Sequence, residues 1–141
     1  MNKPLVLYGD AQASAADYLR VALAGRPEPY TDGVTVGTRI PASRDLDTPA
    51  LPYVMVVQDG PGQVRGLALT VVTLRSTTWA SNEDVAYDLA QMCHGLLLLH
   101  SGTVIRSTLP LLSVYPAVDP DTGEPIASFS ITANLRAVVT V

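Results

Sequence analysis

The last sixteen residues alternate almost without error, and few patterns limit a fold so tightly. From Ile126 onward the odd positions read Ala127, Phe129, Ile131, Ala133, Leu135, Ala137, Val139 and Val141. The even ones read Ser128, Ser130, Thr132, Asn134 and Arg136, then Val138 and Thr140. A two-residue period of this kind means one extended strand with an apolar and a polar face. At about 3.3 Å per residue it reaches roughly 50 Å, against about 17–20 Å for an ordinary strand. A chain of about 140 residues has a radius of gyration near 14 Å. The strand therefore either outruns its own core or bends at a bulge, and assembly with other chains is the first function class to consider. Val138, Val139 and Val141, at its far end, are the candidate oligomer interface.

Composition points the same way. Residues 1–141 are enough for a single domain that buries most of its apolar surface. Hydrophobic residues make up 48% and charged residues only 16%, below the usual quarter. A chain this apolar and this sparsely charged often hides surface in a partner or in copies of itself. No apolar run approaches the ~20 residues of a membrane span. The opening MNKPLVLYGD has too short an apolar patch for a signal peptide. Nine basic residues against thirteen acidic leave a net charge of −4 with no block of like charge. A domain that grips nucleic acid would show a basic face instead. The lone Cys93 excludes an internal disulfide and fits a reducing compartment such as the cytoplasm.

Local signals divide the chain into alternating elements. Asp10 is placed to cap a helix running to about Ala24, with Gly25 and Pro27 stopping it. Val34 to Ile40 alternates as a strand. Tyr53 to Gln58 is a β-former run expected of a central strand, and Asp59-Gly60-Pro61-Gly62 turns into a return strand over Val64 to Thr77. Ser81 with Asp84 three residues on resembles a capping box for a second helix. In that helix Val85, Leu89, Met92, Leu96 and Leu99 form one apolar stripe, and Ala86, Ala90, Cys93 and Leu97 form the stripe beside it. So wide an arc predicts a helix deep in the core. Ile105 to Val118, a turn at 119–125 and the final strand complete a long C-terminal β-hairpin. The expected fold class is α+β: a mainly antiparallel (mixed) sheet with two helices packed on one face.

Constellations with chemistry are few. Asp119-Pro120-Asp121-Thr122-Gly123-Glu124 has the opening spacing of a calcium loop but lacks its later ligands, and a polar hairpin tip explains the same residues. His94 and His100 lie about 240° apart around a helix, too far to share a ligand. They read as a satisfied, partly buried residue and a helix-dipole partner, respectively. Cys93 falls on an apolar stripe, unlike a nucleophile. No Gly-x-Ser-x-Gly elbow is present, and Gly60-Pro61-Gly62 lacks the spacing and the following helix of a phosphate loop. Arg75, Arg106 and Arg136 lie on strands where they could form a row. Trp79 reads as a core anchor. The expectation is a protein without catalytic residues, cofactor or metal.

Taken in order, these segments resemble a tail terminator protein of long-tailed, siphovirus-type bacteriophages. The likeness runs through Asp17-Tyr18-Leu19, Thr38-Arg39-Ile40-Pro41, and Pro52-Tyr53-Val54-Met55-Val56 with Asp59-Gly60-Pro61-Gly62. It continues in Thr78-Trp79-Ala80-Ser81 before Asp84-Val85-Ala86, the 119–125 turn, and Asn134-Leu135-Arg136. The resemblance implies a two-layer subunit in a homohexameric ring on the head-proximal end of the tail tube. There the ring ends tube polymerisation and meets the head–tail connector, or stopper, protein. Its partners would be other copies of itself, the tail tube protein and that connector, and its place the virion after assembly in the host cytoplasm. Six copies of −4 give a ring of −24, through which DNA would pass without specific binding. Asp45, Asp47, Asp59, Asp119 and Asp121 are the candidate loop charges facing the lumen or a neighbour. The alternatives are another head–tail joining, neck or tail-completion protein, or a small-ligand-binding α+β domain, which would need a polar concave site.

Overall fold

The computed structural model describes residues 5–39, 51–66 and 69–140, with backbone only at 139 and 140. Two helices and a mixed seven-stranded sheet give an α+β fold. In chain order the elements are β1 (Leu5–Tyr8), α1 (Ala11–Ala24), a short 3-10 turn (Pro29–Thr31), β2 (Thr35–Gly37), β3 (Tyr53–Gln58) and β4 (Gln63–Val64). There follow β5 (Leu69–Trp79), α2 (Glu83–Leu99), β6 (Ile105–Val118) and β7 (Pro125–Thr140). The sheet runs β1-β7-β5-β3-β2, with β6 also on β7 and β4 also on β5. Among the described strands only β2 and β3 pair in parallel.

β7 is the spine. Its residues 126–136 pair with β5 along one side, and residues 125–135 pair with β6 through three register shifts. The overhang is paired too: Ala137 to Thr140 lies against β1, with Leu7 opposite Val138 and Leu5 opposite Thr140. The N-terminal segment read as a short apolar patch is thus a strand, and it supplies the partner that the long final strand required.

Local chemistry sets the helix boundaries. Asp10 Oδ1 accepts the Ala13 N–H at 3.0 Å and starts α1. For α2 the cap is Asn82, not Ser81: its Oδ1 accepts the Val85 N–H at 2.9 Å, because the side chain three residues before that donor fits the geometry. Glu83 and Asp84 follow in the first turn, where the helix dipole favours carboxylates. Strand bounds shift as well. Of the strand expected over Val34 to Ile40, Thr35–Gly37 is the paired part among the described residues, and Ile40 lies outside them. The return strand is broken into β4 and β5, with Gly66 at a positive φ of 106° between them.

One core lies between the helices and the sheet. α1 contributes Ala15, Leu19 and Leu23, and α2 contributes Ala86, Leu89, Ala90, Cys93 and Leu97. The sheet contributes Val54, Val56, Leu74, Phe129, Ile131 and Leu135. Phe129 meets His94 of α2 at a ring separation of 4.7 Å, and the Tyr18 hydroxyl donates to the Leu96 carbonyl at 2.9 Å, locking α1 to α2. Both helices therefore sit on one face, as expected. The depth assigned to α2 needs correction. Only the Ala86/Ala90/Cys93/Leu97 stripe with Leu89 is buried, while Leu99 is 81% exposed. A helix in the outer layer of a two-layer fold can bury one side only.

Candidate functional site

Strand register decides which side chains leave the core. Residues directly paired across strands share a face. The core face carries Leu74 opposite Ile131 and Ser76 opposite Phe129, so the other face carries Arg75 opposite Ser130 and Thr77 opposite Ser128. Among the described residues no helix packs on this second face. Running from its β6 side, it presents Leu109, Leu112 and Tyr115, then Thr132, Ser130 and Ser128, then Thr73, Arg75 and Thr77, then Val57, Met55 and Tyr53. Thr77 and Ser128 share a hydroxyl hydrogen bond of 3.1 Å, and Asn134 Nδ2 donates to Ser107 Oγ at 2.9 Å. This helix-free, or open, face is thus a band of small hydroxyls, of which Thr77, Ser128 and Ser130 are buried together with Tyr53 at its far side, flanked by an exposed apolar ridge on β6. Alternation carries Val138 and Leu7 onto the same face, where they are 56% and 51% exposed.

The ridge belongs to a strand with an open edge. β6 pairs only with β7 among the described elements. Leu109, Leu111, Leu112, Tyr115 and Val118 are each 50–61% exposed. Natural edges are blunted by charge, proline or bulges. Residues 107–118 contain no charge at all, but Pro110 and Pro116 interrupt the row of edge donors, and three register shifts bend the strand. Continuous strand addition is therefore disfavoured, and contact through side-chain faces is what remains. Reading β6 merely as half of a hairpin missed this. The charge-free run holding two prolines was the signal that marked it.

A second apolar surface lies on the opposite side of the molecule. The outer side of α2 and the 3-10 turn form a groove of about 790 Å³ lined by Tyr30, Met92, Gly95, Leu96, Leu98 and Leu99, with Arg26 and Asp88 beside them. Arg26 is engaged by Glu28. A smaller cavity of about 560 Å³ beside α1 and β2 holds Asp17, Arg20 and Tyr53, yet Arg20 is already bound to Asp17 at 2.6 Å and to the Val36 carbonyl at 2.9 Å.

Of the candidate loop charges, the described ones do not converge: Asp59 lies apart from Asp119 and Asp121. Asp119 Oδ2 accepts the Trp79 indole N–H at 2.7 Å, and Oδ1 accepts the Asp121 N–H at 2.9 Å. Burial pushes the Asp119 pKa up, but the bonds from Trp79 and from the backbone and side chain of its own turn outweigh that and hold it below the usual carboxylate value. Asp119 is therefore a structural residue of the hairpin tip, and Asp121 lies exposed beside it. Asp59 follows Gln58, at the end of β3 remote from Tyr53 and Trp79, roughly 17 Å along the strand at about 3.3 Å per residue. Asp45, Asp47, Val141 and the Val139 side chain lie outside the described residues. Arg75 and Arg136 share the open face but sit six β7 positions apart, so no compact row forms with Arg106, which falls at a register shift.

Toward the end of α2, Cys93 is buried and His94 and His100 are half-buried. Burial alone pushes the Cys93 thiol up to about 12. Among the described residues His94 and His100 each have a buried Nε2 without a hydrogen-bond partner, so His94 is not satisfied at that atom as expected, and burial lowers both pKa values. His100 stacks on Tyr18 at 4.1 Å, at the C-terminal end of α2. Among the described residues no three His, Cys, Asp or Glu side chains gather as a metal site, and no helix is long and apolar enough to cross a membrane. Compared with known proteins, the chain matches no family profile, and no curated protein matches it at a significant level.

Proposed function

We propose that this chain is a structural assembly protein of the tail-terminator kind. Its copies form a hexameric ring at the head-proximal end of a phage tail tube, stop tube growth and meet the head–tail connector within the virion. The observation that carries this proposal is β6, a fourteen-residue strand whose outer edge is unpaired among the described elements and whose large apolar side chains are half uncovered. A solitary domain leaves such a strand exposed to aggregation. A subunit completed by its neighbours covers it. The sequence order of motifs shared with terminators supports the same reading, and a ring charge of −24 (six times −4) suits passage of DNA without adhesion.

The test is tube growth. The cognate tail tube protein is polymerised with and without this chain, and lengths are read by electron microscopy. Short tubes with added density at one end are expected; unchanged lengths with no bound end would exclude the terminator role. Tight, salt-sensitive duplex binding at ~50 mM salt would instead favour a DNA-binding protein.

A further inference from the structure

We infer that the open sheet face and the α2 groove are the two halves of one self-contact, so that the β6 ridge of one copy seats in the groove of the next. The inference rests on the ring-forming function and names the surfaces that would build the ring.

Placement is the first ground. The ridge of Leu109, Leu112 and Tyr115 projects from the helix-free face of the sheet, whereas the groove lies on the outer side of the helix layer. Two different apolar surfaces facing opposite ways cannot cover each other within one chain. Nor do they form a single self-complementary patch, which a twofold dimer needs; they suit a head-to-tail contact, which closes into a ring when the rotation permits.

Charge is the second ground. The side chains that register places on the open face include two arginines, Arg75 and Arg136, and no carboxylate. The two helices opposite carry four carboxylates, Asp17, Glu83, Asp84 and Asp88, against the single Arg20. Arg75 is exposed and makes no ion pair among the described residues. The helix layer as a whole is thus opposite in sign to the open face, while beside the groove Asp88 stands with Arg26, which Glu28 engages; the contrast opposes front-to-front pairing.

The test uses two exposed positions, so the fold is spared: Leu112→Asp on the ridge and Leu99→Asp in the groove, both checked by circular dichroism. Sedimentation at ~100 μM should show assembly of the unaltered chain and self-association weakened about 30-fold or more in each variant, the scale of a lost interface anchor. An equimolar mixture of the two should form 1:1 dimers and nothing larger, because only one intact ridge–groove contact remains per pair. Unchanged assembly of either variant, a mixture that stays monomeric, or an unaltered chain that stays monomeric would each overturn the inference. Tube capping by the unaltered chain tests the ring function separately. Capping without ridge–groove pairing would leave that function standing and reject these surfaces.

Discussion

Truncating Phe129 to alanine is the sharpest probe of how β7 organises the domain. Phe129 is 1% exposed, pairs with Ser76 in β5 and meets the His94 ring at 4.7 Å. Removing a ring from such a site forfeits its transfer free energy and leaves a cavity between sheet and helix, at a cost of about 3–5 kcal/mol. Against a domain stability of about 5–15 kcal/mol this is a large fraction. At roughly 3–5 °C per kcal/mol for a chain of this size, the melting temperature should fall by about 10–25 °C. Urea unfolding followed by Trp79 fluorescence and by circular dichroism measures the loss, with Val138→Ala, on an exposed position, as a control that should stay within about 0.5 kcal/mol. A loss below about 1 kcal/mol for Phe129→Ala would refute the assignment of the odd face of β7 to the core.

Acid should destabilise the fold through His94 and His100, whose pKa values burial lowers from the ordinary 6.5. The unfolded chain then binds protons more readily, so this stability is complete above about pH 6.5 and is lost as pH falls through the lowered folded values. Urea midpoints at pH 7.5 and 5.0 should differ, and His94→Gln with His100→Gln should shrink the difference. Asp119→Ala should cost about 1–3 kcal/mol by stranding the Trp79 indole N–H, whereas Asp59→Lys and Asp121→Lys, on exposed sites, should stay within about 0.5 kcal/mol; equal effects in urea titrations would contradict the separate role of Asp119. Cys93, fully buried with its thiol raised to about 12, should resist a thiol reagent at pH 8 in the native protein and react at once in denaturant; rapid native labelling would place it elsewhere than the core.

Much of the architecture was legible in the sequence because it depends on local periodicity. The alternation of Ala127, Phe129, Ile131, Ala133 and Leu135 specified a strand and its inner face, and all five side chains are buried. Asp10 announced α1, and the order of elements implied an α+β sheet with both helices on one side. Where two neighbouring residues could serve one role, as Ser81 and Asn82 at the start of α2, composition could not choose; backbone geometry did.

What only the tertiary structure decided are facts of pairing and coverage. Nothing local in Leu5–Tyr8 says that it lies against Ala137–Thr140, because antiparallel partners at opposite ends of a chain share no periodic signature. Periodicity likewise reports that Leu96, Leu99, Leu109 and Leu112 are apolar, but whether another element covers them depends on the layers. Asp119 reads as a loop charge until Trp79, forty residues away in sequence, delivers its indole N–H. The sequence determined most of the elements, though not β1, and which way β7 faces; the packed chain decided which apolar faces remain open, because burial is a property of neighbours rather than of a residue.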